Sequence, residues 1–309
     1  MPDGLVRIIV NPISGHGDDP HFVRELVRHV SSRGFPVDVH RTQGPGDARR
    51  LARETPRTAR CVVSLGGDGT HREVLSGLAG GPVPLCVVPF GTENVLAKTL
   101  GLGGTVRETT RLIQQGRPVP MDVARAGDHP FIMFAGIGFD AEVTRDVHHK
   151  RTGPIVRAAY YGPVLRRWWR YGFPPITVTV DGRLLSDDGG IVFVLNTPFY
   201  GDGLRLAPRA VGDDGLLDVV CFRTRSRWHM LMHYVRARLG RHLNHPLVVY
   251  GRGKRIDISC DERSLPVQTD GDLMGETPLS FSLTPRAVRV LVRPESLGVS
   301  GKLGARTTA

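Results

Sequence analysis

"CVVSLGGDGTHREV", Cys61 to Val74, decides how this chain is read. An apolar run stops at three glycines that bracket one aspartate, Gly66-Gly67-Asp68-Gly69, and a polar stretch of helical character follows. Buried strand, tight turn and helix in succession are the unit of a parallel α/β sheet. Glycines let backbone N–H groups come close to a phosphate, and the following helix adds the positive end of its dipole. Asp68 itself repels a phosphate. It suits the loop if it holds Mg²⁺, or a Mg²⁺-bound water, beside that phosphate. The alternative is a plain strand–turn–helix in which Asp68 makes an Asx turn.

The same alternation runs outward on both sides. "LVRIIV", "PVDVHRT", "RCVVSLGG" and "PLCVVPFG" read as strands, and "HFVRELVRHVSSRG", "GDARRLARET", "THREVLSGLAG" and "TENVLAKTLG" as helices. That order predicts a parallel sheet with helices on both faces over residues 1–120. Three glycine loops then follow strands directly: Gly15–Gly17, Gly66–Gly69 and Gly91. Ligands of open parallel sheets bind at the carboxyl ends of strands, so the three loops are expected on one rim. In "NPISGHG", Asn11 and Ser14 can orient the loop or touch a nucleotide. In "PFGTEN", Thr92 can cap a helix or contact a phosphate.

After Met121 short turn-separated strands take over and predict a mainly antiparallel β-sandwich over residues 121–290. Residues 291–309 read as a strand returning to the first domain and a frayed tail. Helical, basic stretches at Lys150–Gly172 and Trp228–Leu243 interrupt the sandwich. The four cysteines, Cys61, Cys86, Cys221 and Cys260, show no CxxC spacing and read as free thiols in a reducing compartment. His16, His71, His148 and His149 lack ligand spacing and read as solvated basic surface. No run reaches ~18 apolar residues, and the N-terminus enters a strand without a signal-peptide pattern. The chain is expected in the cytoplasm.

Net charge is +11 over 309 residues, which points to a polyanionic partner. Arg145 to Arg170 carries seven Lys/Arg against one acid, Asp146, and ends "RRWWRYGF". Arginines beside aromatic rings suit an anionic membrane interface. "RWHMLMHYVRARLGRHL" repeats the theme, with Trp228, Leu231, Met232, Val235, Leu239 and Leu243 at helical spacing. A helix packed on the sandwich with a basic outer face is the alternative. Nucleic acid ranks lower, since no known reading module is present.

"NPISG", "GGDGT", "GTEN", "AGIGFDAEV", "DDGLLDVV" and "TDGD" occur in the order found in the diacylglycerol kinase / sphingosine kinase superfamily of soluble lipid kinases, and the chain resembles its bacterial branch from Asn11 to about Pro294. The resemblance implies an NAD-kinase-like α/β nucleotide-binding domain, with a β-sandwich completing the cleft. It implies ATP and Mg²⁺, and a lipid hydroxyl such as that of diacylglycerol or a sphingoid base as acceptor. It places Asn11, Pro12, Ser14, Gly15, Thr42, Gly66, Gly67, Asp68, Gly69, Thr70, Thr92 and Asn94 at the nucleotide, in loops that run to Arg72. A homodimer is left open.

The chain departs from that pattern twice. The family's Asp-Gly-Glu, whose Glu is the proposed proton acceptor, is here Asp270-Gly271-Asp272, with Glu276 as a rival base. Val95 replaces a second acid near the phosphates, leaving Asp68, Asp122 and Asp270 for the catalytic metal. Asp272, Asp68 and Asp270 are thus the expected catalytic acids. "VGDDGLLDV" resembles a structural Mg²⁺ site with Asp214 as side-chain ligand and Val211 and Leu216 as carbonyl ligands; a plain Asp-Gly hairpin reads equally well. An NAD-kinase-like enzyme with a soluble acceptor and a catalytically inactive lipid-binding protein are the rival functions.

Overall fold

The computed structural model describes residues 4–15, 19–149 and 158–294. The chain divides into two compact units, one running up to Met121 and resuming at Arg286, the other spanning Asp122–Pro285.

The first unit contains β1 (Val6–Val10), α1 (Pro20–Ser31), β2 (Val37–Arg41), α2 (Asp47–Arg53), β3 (Cys61–Gly66), α3 (Asp68–Leu78), β4 (Leu85–Pro89), α4 (Val95–Leu100) and α5 (Val106–Gln115). Its strands pair in parallel in the order β2-β1-β3-β4. Alternate side chains of a strand point to opposite faces. Val6, Ile8 and Val10 therefore join Val63, Leu65, Cys86 and Val88 under α1 and α5 in one core. The strands are continuous apolar runs because both faces of the sheet are covered. Asp19 caps α1 by accepting the N–H groups of His21 and Phe22 at 3.0 and 2.9 Å. Helix α5 was not among the expected helices, although its capping box, Thr105 with Glu108, is legible as T-x-x-E.

The second unit begins within β5 (Arg117–Ala126) and continues through β6 (His129–Phe131), β7 (Phe134–Gly138), α6 (Phe139–His149), α7 (Ala158–Arg170), β8 (Ile176–Val180), β9 (Arg183–Gly189), β10 (Ile191–Leu195), β11 (Leu217–Phe222), α8 (Arg227–Arg238), β12 (Val248–Gly253), β13 (Ile256–Ser259), β14 (Pro266–Thr269) and β15 (Asp272–Glu276) into β16 (Leu279–Val292). One antiparallel sheet runs β12-β11-β10-β7-β14-β15. Strands β8, β9, β13 and the first part of β16 pair antiparallel in another. Ala135, Ile137, Val192, Val219 and Val267 from the first sheet meet Ile176, Val178, Ile256 and Phe281 from the second in one apolar core. Beyond Arg286, β16 belongs to the first unit, where Val290 pairs in parallel with Leu85 of β4.

Of the two basic helical stretches, residues 150–157 lie outside the described residues, as do the side chains of His148 and His149. The second stretch ends sooner than expected. Helix α8 stops at Arg238, and Gly240 turns the chain with φ +65°.

Candidate active site

In the first unit the three glycine loops touch. A Cβ placed on Gly91 would lie 2.5 Å from Cα of Gly67, and one on Gly15 would lie 2.6 Å from the Phe90 carbonyl oxygen. Each loop follows the C-terminal end of a parallel strand, so the rim presents backbone rather than side chains. Side chains hold it from behind. Asn11 donates to Thr70 Oγ1 at 2.8 Å, and its carbonyl accepts the Ser14 hydroxyl at 2.9 Å. Thr70 packs under Gly66, which has no room for a Cβ. Thr42 follows β2 and donates its N–H to the Val10 carbonyl at 2.9 Å, beside Asn11. Asn94 accepts from Gly91 N–H at 2.8 Å and returns a bond to its carbonyl at 2.7 Å. Its φ of 52° is left-handed, a conformation that Asn tolerates. Thr92 is exposed on this loop, and Pro12 is half-buried on the first. His16 and Gly17 lie outside the described residues.

Asp68 has a job that the sequence reading did not give it. One carboxylate oxygen accepts Val95 N–H at 3.0 Å and the other accepts Leu96 N–H at 3.1 Å. The side chain thus pins the start of α4 to the start of α3. Burial pushes its pKa up, and the two amides and Lys98 only partly offset that. Gly67 at the N-cap of α3 gives the first turn no side-chain cap, an end that suits an anion.

In the second unit Thr269-Asp270-Gly271-Asp272 is a two-residue hairpin between β14 and β15, with Thr269 opposite Asp272. Asp270 and Gly271 both have positive φ, 48° and 90°, as a type I′ turn requires. The Asp270 carboxylate accepts three backbone N–H groups, from Ile132, Met133 and Phe134, at 2.8, 3.0 and 3.1 Å. A carboxylate accepting three amides sets the turn, a structural role that the sequence did not announce. A register shift in β14–β15 pairs Gln268 with Leu273 but Val267 with Gly275. That extra residue puts Asp272 and Glu276 on opposite faces. Asp272 shares its face with Thr269; Glu276 lies on the other, 3.9 Å from Arg145 of α6. Asp272 is half-buried at the hairpin end, and Glu276 is exposed.

Two family models match, the diacylglycerol kinase catalytic domain over residues 5–126 and the YegS C-terminal NAD kinase beta sandwich-like domain over residues 134–292. A diacylglycerol kinase of Mycobacterium tuberculosis is 30% identical over 304 residues, spanning 93% of this chain and 95% of that protein. The chain belongs to the diacylglycerol kinase family. A diacylglycerol kinase of Bacillus subtilis is 27% identical over 94% of this chain and 96% of that protein. The crystal structure of a Bacillus anthracis protein provisionally assigned as a diacylglycerol kinase superposes with a TM-score of 0.77 at 25% identity, covering 96% of this chain and 99% of that one. By family the chain is an ATP-dependent lipid kinase, a phosphotransferase with an alcohol acceptor. No described helix is long and apolar enough to cross a membrane.

Against the family pattern, the carboxylates expected to hold metal are engaged by protein. Asp122 is fully buried and accepts Gly215 N–H at 2.8 Å. Asp214 accepts Leu216 N–H at 3.0 Å and pairs with Arg252. The Val211 carbonyl accepts the N–H groups of Asp213 and Asp214. Among the described residues no three His, Cys, Asp or Glu side chains are grouped to hold a metal. These residues do not fit a structural Mg²⁺.

Other residues were missed from sequence. Asp140 accepts Tyr200 O–H and, at 2.6 Å, Gln268 N–H; Gln268 in turn accepts Gly271 N–H at 2.8 Å. This chain of bonds braces the turn before Asp272. A lone Gln beside "TDGD" in an apolar strand was the available signal. His71 is corrected too: it is fully buried, bonded to Ser64 at 2.9 Å, and burial pushes its pKa down to about 3.

Proposed function

We propose that the chain transfers the terminal phosphate of ATP to the hydroxyl of a diacylglycerol or a sphingoid base at an anionic membrane surface. The observation that carries the nucleotide part is the contact of Gly15 and Gly67 with Gly91, so close that no side chain fits between the three loops and their rim is left as backbone. Asn11, Ser14, Thr70 and Asn94 hold that rim in shape, and Thr42, Thr92, Gly66 and Gly69 flank it. Asp68 acts by fixing the loop before α4. Asp272 accepts the proton of the acceptor hydroxyl, with Asp270 setting its turn. Phosphoryl transfer needs chiefly positioning and charge neutralisation. Mg²⁺ bound with ATP would supply the neutralising charge, with phosphate oxygens and water as its main ligands.

The membrane part rests on α7 and α8. The apolar stripe of α8 faces solvent: Trp228 is 77% exposed and Val235 46%, whereas Met230, His233 and Ala237 are the buried residues. Arg227 bonds the Trp168 and Trp169 carbonyls at 3.1 and 2.7 Å and lies 5.1 Å over the Trp169 ring. Two exposed tryptophans thus stand beside the exposed Arg166 and Arg170. Arg167 is different. It binds Glu142 and Asp146 at 3.0 and 2.7 Å and ties α7 to α6.

The test is transfer of label from ATP to diacylglycerol or sphingosine in vesicles. Labelled diacylglycerol or sphingosine phosphate is expected. Label in NAD⁺ alone would mark the NAD-kinase-like rival, and no label in any acceptor would mark an inactive lipid-binding protein.

A further inference from the structure

We propose that this chain closes its Asp214–Asp218 turn with the Arg252 guanidinium, in place of the divalent ion that the family resemblance led us to expect there. The strand register puts Arg252 of β12 directly opposite Asp218 of β11. Arg252 Nε lies 3.1 Å from Asp218 Oδ1, and its Nη2 meets Asp214 Oδ2. One fork-shaped cation therefore bridges both carboxylates. Asp218 is fully buried and also accepts Tyr250 O–H, while Arg209 lies 5.5 Å over the Tyr250 ring. Arg252 is thus shared by two carboxylates, and its charge opposes a second cation at the same oxygens.

Mg²⁺ needs oxygens at ~2.0–2.1 Å in near-octahedral array. Here the other Asp214 oxygen accepts Leu216 N–H at 3.0 Å, and the Val211 carbonyl accepts two turn N–H groups at 2.9 and 3.3 Å. A metal would have to expel the guanidinium and break those bonds. Arg cannot relieve the conflict by losing its proton. The sequence carries the same information, but only through register: residues 34 apart become partners because β11 and β12 pair Leu217 with Gly253. The consequence is that this turn closes without a divalent ion.

The test uses the full chain without nucleotide. Wild type is dialysed against EDTA, assayed for bound metal, and melted in EDTA and in millimolar Mg²⁺. The expected result is no retained metal and melting temperatures within ~1 °C, since an ion that does not bind the folded state adds no stability. Retained metal, or a melting point that falls in EDTA, overturns the proposal. Arg252→Gln removes the cation and leaves two carboxylates facing each other. It should melt roughly 5 °C or more below wild type in EDTA and recover part of that in Mg²⁺. An Arg252→Gln protein as stable as wild type also overturns the proposal. Should that variant fail to fold, the wild-type metal assay and melts decide alone.

Discussion

The rim of the first unit and the acidic turns of the second solve similar problems with different material. The rim is backbone. Gly15, Gly67 and Gly91 meet so closely that a methyl group on Gly91 would strike Gly67. The turns of the second unit are defined by side chains, with Asp270 on three amides and Asp214 and Asp218 on Arg252. Backbone is fixed in charge and hard to substitute, which suits a surface that meets phosphate. A carboxylate can serve either as glue or as chemistry, and its type alone does not say which. Asp270 and Asp272 stand two residues apart in different settings: one carboxylate accepts three amides, and the other starts a new strand on the opposite side of the Asp-Gly turn.

The contrast breaks first at Asp272. Asp272→Asn should lower kcat by ~10²–10⁴ with ATP affinity unchanged, the range for removal of a general base. Glu276→Gln should change kcat less than ~2-fold, because a carboxylate on the opposite face of the strand is not within reach of the same proton. A dead Glu276→Gln with an active Asp272→Asn would reverse the assignment.

The glue carboxylates come next, read by chemical denaturation. Asp270→Asn keeps a residue that accepts positive φ but exchanges an acceptor oxygen for an NH₂ group facing amides. It should cost about 1–3 kcal/mol of stability. Asp68→Asn should cost about 1–2 kcal/mol, since two amides are involved rather than three. Stability within error of wild type for either would remove it from the structural class.

A smaller effect separates the arginines of α7. Arg166→Gln with Arg170→Gln should weaken vesicle binding ~3–10-fold, more so at low salt, and leave melting unchanged. Arg167→Gln should do the reverse, because among the described residues it takes from Glu142, 2% exposed, one of two arginines and leaves Arg263 at 2.9 Å. Equal effects from both substitutions would mean that exposure does not sort these residues.

The last effect is a pH slope. His71 stays neutral in the folded chain until its pKa of about 3, whereas an unfolded His titrates near ~6.5. Between those values the unfolded state binds the extra proton, so stability falls as pH falls. Wild type should lose up to about 1.4 kcal/mol per pH unit relative to His71→Gln below pH ~6. A difference that does not vary with pH would place the His71 ring in water.

Much of the first unit was legible because its signals are local. Apolar runs, glycines and caps mark β1 to β4 and α1 to α4, and α5 was legible too through Thr105 and Glu108, though it was passed over. The roles of the acids were not legible. Asp270 finds its amides 136–138 residues away, and Asp122 finds Gly215 at 93. Such partners are created by folding, and residue type cannot announce them. The solvent-facing stripe of α8 was half legible. Trp228 to Val235 keep the expected helical spacing, Leu239 and Leu243 fall beyond the end of the helix, and spacing does not tell which face is covered.

The account stands or falls on the rim as the phosphate site. The direct measurement is equilibrium binding of ATP, without lipid, to wild type and Gly91→Ala, with circular dichroism to confirm the fold. The added methyl group must push Gly67 and Gly91 apart, at a packing cost of about 1–3 kcal/mol. The account predicts at least ~10-fold weaker ATP binding in a folded protein, since a 1.4 kcal/mol loss in the bound state is already tenfold. A folded Gly91→Ala that binds ATP as tightly as wild type would contradict it.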